Sequence, residues 1–104
     1  MLTRKSVLRL LQENYGYLAD QYGVRRVGVF GSYAKGLATN DSDVDIFVEF
    51  ERPIGLRFVE LVDYLEQLLG TKVDVLTPGG LRGIRIPGVA RSIEESIVYV
   101  QPKR

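Results

Sequence analysis

The chain contains no cysteine, no histidine and no tryptophan, and only one methionine. Without cysteine there are no disulfides, thiolate metal sites or thiol nucleophiles; without histidine there is no imidazole ligand and no Ser-His-Asp arrangement. No apolar run approaches the ~18 residues of a membrane span, and the opening MLTRKSVLRLL has no small-residue cleavage site. A soluble, cytoplasmic protein with neither membrane span nor signal peptide is therefore expected. Any chemistry must come from carboxylates, hydroxyls, Lys, Arg, Tyr and the backbone.

What is present is 104 residues, 45% hydrophobic and 26% charged, with a net charge of +1. That is enough to bury one core and too little for a multidomain polymerase, so a single domain over residues 1–104 is expected. The near-zero net charge conceals segregation. Residues 1–40 carry six Lys/Arg against two Asp/Glu, residues 41–74 carry three against nine, and residues 82–104 carry five against two. If these segments fold together, a negative pocket lies beside a positive rim, which suits a cation with a polyphosphate better than direct nucleic-acid binding. The plainer alternative is solvated surface charge.

No repeat, linker or low-complexity segment interrupts the chain. Thr3 reads as an N-cap, and Val7, Leu8, Leu11, Tyr15, Leu18, Ala19 and Tyr22 recur at helical spacing up to Gly23, with Gly16 as a weak point. Residues 25–30, RRVGVF, predict a buried strand, followed by a short helix over residues 33–37. A second strand should start near Asp43 after the polar ATNDS. Phe58, Leu61, Val62, Leu65, Leu68 and Leu69 mark one face of a helix closed by Gly70, and residues 72–77, KVDVLT, predict a third strand. Beyond Pro78, Gly79 and Gly80 the pattern allows one helix interrupted at Pro87 and Gly88, then a terminal strand IVYV. The whole predicts an α/β or α+β domain with a small mixed β-sheet flanked by helices.

The chemically informative stretch is GSYAKGLATNDSDVD, residues 31–45. Gly31 and Ser32 follow a strand and open a helix, where unpaired N–H groups, the positive dipole end and a hydroxyl can seat a phosphate; the alternative for Ser32 is a simple cap. Asp43 and Asp45 are two apart at the start of a strand, so both carboxylates project to one side and suit a hard cation such as Mg²⁺; the alternative is a solvated turn. Asp74, in the middle of VDVL, turns away from a core that takes Val73 and Val75, and joins the other two if its strand pairs beside theirs. Three carboxylates without histidine describe a two-metal phosphoryl or nucleotidyl transfer site better than a hydrolase acid/base pair. Gly-Ser and Asp-x-Asp at this one spacing arise by chance in on the order of one chain in several hundred.

Lys35, one turn into the short helix, is within reach of a triphosphate or is a free surface lysine. Ser42 donates to a phosphate oxygen or closes a turn. Arg82, Arg85 and Arg91 cover a nucleotide, meet a partner, or lie idle on the surface. The tyrosines Tyr15, Tyr17, Tyr22 and Tyr33 read as packing groups.

Gly31-Ser32, ten intervening residues, Asp43-x-Asp45 and the later Asp74 strand resemble the nucleotidyltransferase superfamily related to DNA polymerase β. The short chain, GSYAKG and KVDVLTP further resemble the minimal nucleotidyltransferases (MNT), antitoxin partners of HEPN-domain ribonucleases. The resemblance implies the polymerase β-like nucleotidyltransferase fold. It also implies Mg²⁺ on Asp43, Asp45 and Asp74, with Gly31 and Ser32 on the β- and γ-phosphates of ATP. The reaction it implies is transfer of AMP to a hydroxyl, in the antitoxin members a tyrosine of the HEPN toxin, with release of pyrophosphate. Lys35 stands where the family commonly has Arg, which keeps the charge and gives up bidentate phosphate geometry. Two other classes remain: an antitoxin that neutralises its partner by binding and masking it without catalysis, and a transferase acting on a small molecule such as an antibiotic.

Overall fold

The computed structural model describes residues 2–100. Thr3 opens α1 (Arg4–Glu13) with a reciprocal cap: the Ser6 N–H donates to Thr3 Oγ1 at 3.1 Å and the Thr3 N–H donates to Ser6 Oγ at 2.8 Å. The predicted long first helix is two helices, the second being α2 (Tyr15–Tyr22). The break falls at Asn14, not at Gly16. Asn14 Nδ2 donates back to the Leu10 carbonyl at 2.8 Å while its Oδ1 accepts from the Tyr64 hydroxyl at 2.7 Å, so the side chain competes with helical geometry and is rewarded by a tertiary contact. Gly23, at φ +66°, ends α2.

The chain then runs through β1 (Val24–Phe30), α3 (Gly31–Lys35), β2 (Val44–Phe50), α4 (Arg57–Leu69), β3 (Val73–Leu76), α5 (Pro78–Arg82), α6 (Val89–Ser96) and β4 (Val98–Tyr99). The four strands form one mixed sheet in the order β3-β2-β1-β4, with β1 antiparallel to β2 and β4, and β2 parallel to β3. The parallel pair needs a crossover, and the 13-residue α4 supplies it. After β3 the expected interruption at Pro87 and Gly88 is present, but the helix before it, α5, forms on the Pro78-Gly79-Gly80 stretch expected to bound the strand, and α6 follows Gly88. Between them Pro87 removes a donor and Gly88 sits at φ +83°.

One face of the sheet makes the main core. Val27 and Val29 from β1, Val44, Ile46 and Val48 from β2, and Val73 from β3 pack with Val7, Leu11, Leu18, Leu61, Leu65 and Leu69 of the helices. Truncating one of the fully buried leucines, such as Leu65, to Ala costs about 2–5 kcal/mol. Alternation puts Asp45, Phe47 and Glu49 of β2 and Asp74 and Leu76 of β3 on the opposite face. Among the described residues no helix is long and apolar enough to cross a membrane.

Candidate active site

The second face of the sheet is built in transverse rows set by strand register. Leu76, Phe47, Gly28 and Tyr99 are successive partners across β3, β2, β1 and β4. The Phe47 and Tyr99 rings meet edge to face, 6.2 Å apart, and the bare Gly28 lets the β4 backbone and Ile97 approach β1 closely. On one side of this apolar row Arg26 pairs with Glu49 at 2.9 Å and lies over the Tyr99 ring at 4.4 Å. On the other side lies an acidic row.

The acidic row holds Asp74 of β3 opposite Asp45 of β2, which is itself opposite Phe30 of β1. The predicted pairing of the third strand beside the second is thus present, in the register that sets the two aspartates side by side. Asp43 precedes β2 and is exposed, as is Asp74, while Asp45 is half-buried. Burial pushes the Asp45 carboxyl above the usual carboxylate range, and the negative charges of Asp74 and Asp43 push it further. Among the described residues no three carboxylates close into a finished metal cage. Asp74 and Asp43 are nonetheless close enough to act electrostatically on Asp45.

Gly31 follows Phe30 at φ +69° and opens α3, and a β-carbon on Gly31 would collide with Asp45 Oδ2. The predicted glycine thus touches a predicted carboxylate, and two halves of the motif ten residues apart become one locus. No side chain caps the N-terminus of α3, leaving the N–H groups of its first turn without a side-chain acceptor. Ser32 is half-buried beside Gly31, and Lys35 lies exposed in the last turn of α3. α3 starts two residues earlier than the sequence pattern suggested, because the left-handed Gly31 reverses the chain straight out of β1.

Ser42 is placed differently from these. Its Oγ accepts from the Thr39 N–H at 2.9 Å and lies 3.3 Å from Thr39 Oγ1, closing the turn over residues 39–42 that leads into Asp43. Tyr22 and Tyr33 are buried, Tyr15 donates its hydroxyl to the Arg25 carbonyl at 2.6 Å, and Tyr17 stacks on Tyr64 at 4.8 Å. All four are packing groups, as expected. Gly28, Phe47 and Tyr99 escaped the sequence reading. The available signal was a glycine inside a β-branched strand, which marks a close approach.

The donor set consists of hard carboxylate oxygens with no nitrogen or sulfur, and two of its three members are exposed. That composition fits Mg²⁺, which keeps several waters and takes one or two carboxylates together with substrate phosphates. Carboxylates on adjoining strands beside the glycine turn that opens α3 are an arrangement suited to phosphoryl or nucleotidyl transfer.

Comparison with known proteins leads to the same place. A model of the nucleotidyltransferase domain matches residues 9–100. The protein adenylyltransferase MntA of Thermococcus cleftensis is 44% identical over 96% of this chain and 98% of its own. A solved structure described as a minimal nucleotidyltransferase superposes with a TM-score of 0.71 at 34% identity, covering 93% of this chain and 95% of that one. A toxin-antitoxin crystallised with AMP-PNP has a TM-score of 0.53 at 26% identity, covering 81% of this chain and 61% of that one. The sequence match over nearly the full length, joined to the paired aspartates and the glycine turn, establishes that this chain belongs to the nucleotidyltransferase domain family and is a minimal nucleotidyltransferase enzyme.

Proposed function

We propose that this chain transfers AMP from ATP to a hydroxyl, that of a tyrosine, on a HEPN ribonuclease toxin, and so acts in the cytoplasm as the antitoxin of a toxin-antitoxin pair. The observation that carries this reading is the register pairing of Asp45 with Asp74 beside the Gly31 turn. Relatedness to a protein adenylyltransferase and to a toxin-antitoxin holding an ATP analogue supports it.

Asp43, Asp45 and Asp74 are the residues that would hold Mg²⁺. Bound there, the metal would neutralise triphosphate charge and acidify the acceptor hydroxyl. The α3 amides and the Ser32 hydroxyl hold the β- and γ-phosphates, and Lys35 adds a point charge at the outer end of the triphosphate. Asp74, exposed on the edge strand, would share a metal with the acceptor hydroxyl and take its proton. The acceptor oxygen bonds to the α-phosphorus, the bond from that phosphorus to the bridging oxygen breaks, and pyrophosphate leaves in line.

The test is intact mass of the purified partner after incubation with this chain, ATP and magnesium. An added AMP is expected with the native chain and none with Asp43→Ala or Asp45→Ala. Transfer that persists in both variants overturns the assignment. Neutralisation of the toxin by both variants, with no AMP added, would instead indicate masking.

A further inference from the structure

The one motif that the transfer chemistry leaves unused is the arginine-bearing segment after β3. Arg82 ends α5, Arg85 lies in the connector, and Arg91 lies in the first turn of α6. All three are exposed, and among the described residues none has an ion pair. Residues 82–91 contain no Asp or Glu, so the segment carries three uncompensated positive charges. Between the arginines Ile86 is 67% exposed and Val89 37% exposed, aliphatic surface that nothing in the fold covers. Arg91 shares its helix with Glu94 and Glu95, whose negative charges offset part of its field.

The position of the segment gives these features a use. It leaves the strand that bears Asp74, and α6 returns the chain against α3, the helix opened by Gly31 and Ser32. The cationic, aliphatic strap thus runs from the strand that bears Asp74 to a helix packed on α3.

We propose that this strap is the docking surface for the acceptor protein, and that the matching surface on the partner is acidic with exposed aliphatic side chains. The inference rests on the reading that a partner protein supplies the acceptor hydroxyl. Charge complementarity selects an acidic partner, and Ile86 and Val89 select a protein over a polyphosphate, which has no use for aliphatic contacts. A polynucleotide is disfavoured because residues 82–91 hold no aromatic side chain on which bases could stack.

The experiment uses the full chain and its HEPN partner, produced together and purified separately. Replacing Arg82, Arg85 and Arg91 together by Glu should weaken partner binding by about tenfold or more and reverse its salt dependence, since added salt then screens repulsion in place of attraction. Magnesium-ATP binding by calorimetry and the melting temperature should stay unchanged. Ile86→Ser should weaken partner binding while leaving its salt dependence intact. Unaltered partner affinity in the triple variant overturns the proposal, as does absence of partner binding by the native chain. Loss of magnesium-ATP binding in that variant overturns it in favour of a nucleotide cover. An RNA oligonucleotide bound by the native chain and released by the variant, with partner affinity retained, overturns it in favour of nucleic acid. Partner binding that depends on the arginines without any AMP transfer supports the docking surface and defeats the transfer reading alone.

Discussion

Gly31 and Asp45, fourteen residues apart in sequence, touch: the glycine α-carbon occupies the space beside the Asp45 carboxylate that any β-carbon would contest. Two constraints coincide there, the close approach and a φ of +69°. Gly31→Ala must therefore strain the backbone by about 1–2 kcal/mol and also displace the Asp45 side chain. A fall in melting temperature of several degrees is expected, with loss of AMP transfer greater than the lost stability explains. Full activity in a folded Gly31→Ala variant would refute the linkage.

Asp45 also makes stability depend on pH. Its carboxyl titrates above the usual value of 3.8, chiefly through burial and then through Asp74 and Asp43, so the folded state holds its proton more tightly than the unfolded state. The favourable contribution is complete below the unfolded value and is lost as pH rises through the raised folded value. Asp45→Asn should then melt higher than the native chain at neutral pH without metal, and the gap should shrink toward pH ~4. Added magnesium should raise the melting temperature of the native chain and leave that of Asp45→Asn unchanged. Differential scanning fluorimetry across pH, with and without magnesium, reads both effects.

Gly28 holds the last strand in place. A β-carbon there would stand 2.6 Å from Ile97 Cγ2 and 2.9 Å from the Val98 carbonyl oxygen. Gly28→Ala should push β4 off β1 and cost about 1–3 kcal/mol, the range for overpacking a tight site. Hydrogen exchange is the sensitive measurement, because the Val100 N–H donates to the Val27 carbonyl at 2.9 Å and should lose protection first.

The Tyr64 hydroxyl donates to Asn14 Oδ1 at 2.7 Å, tying α4 to the junction of α1 and α2 on the face away from the aspartates. Tyr64→Phe should cost about 1 kcal/mol of stability and leave the rate of AMP transfer unchanged. A variant with normal stability and impaired transfer would contradict this separation of scaffold from site.

Local pattern accounts for much of what the chain reveals before it folds. The helix from Arg57 to Leu69 was readable from the spacing of Phe58, Leu61 and Leu65, and its end from Gly70. The strands around Val27, Ile46 and Val73 were readable to within one or two residues at each end, because β-branched runs bounded by turn residues have few other uses. The break at Asn14 was not, since an asparagine in a helical pattern is unremarkable until Tyr64, fifty residues away, meets it. Nor was α5, which forms over Pro78-Gly79-Gly80 where Thr77 caps it by accepting from the Gly80 N–H at 3.1 Å.

By itself the sequence determined the inventory of the site: oxygen donors only, an Asp-x-Asp pair at the head of a strand, a glycine-serine turn, and a charge pattern that keeps acid in the middle of the chain. Tertiary structure alone decided that Asp74 comes to rest beside Asp45, that Gly31 abuts that same carboxylate, and that Ile97 and Val98 press against Gly28. The physical reason is that spacing along one strand follows from backbone geometry, which every residue carries with it, whereas register between strands is chosen by the whole core at once, through which faces can be buried together.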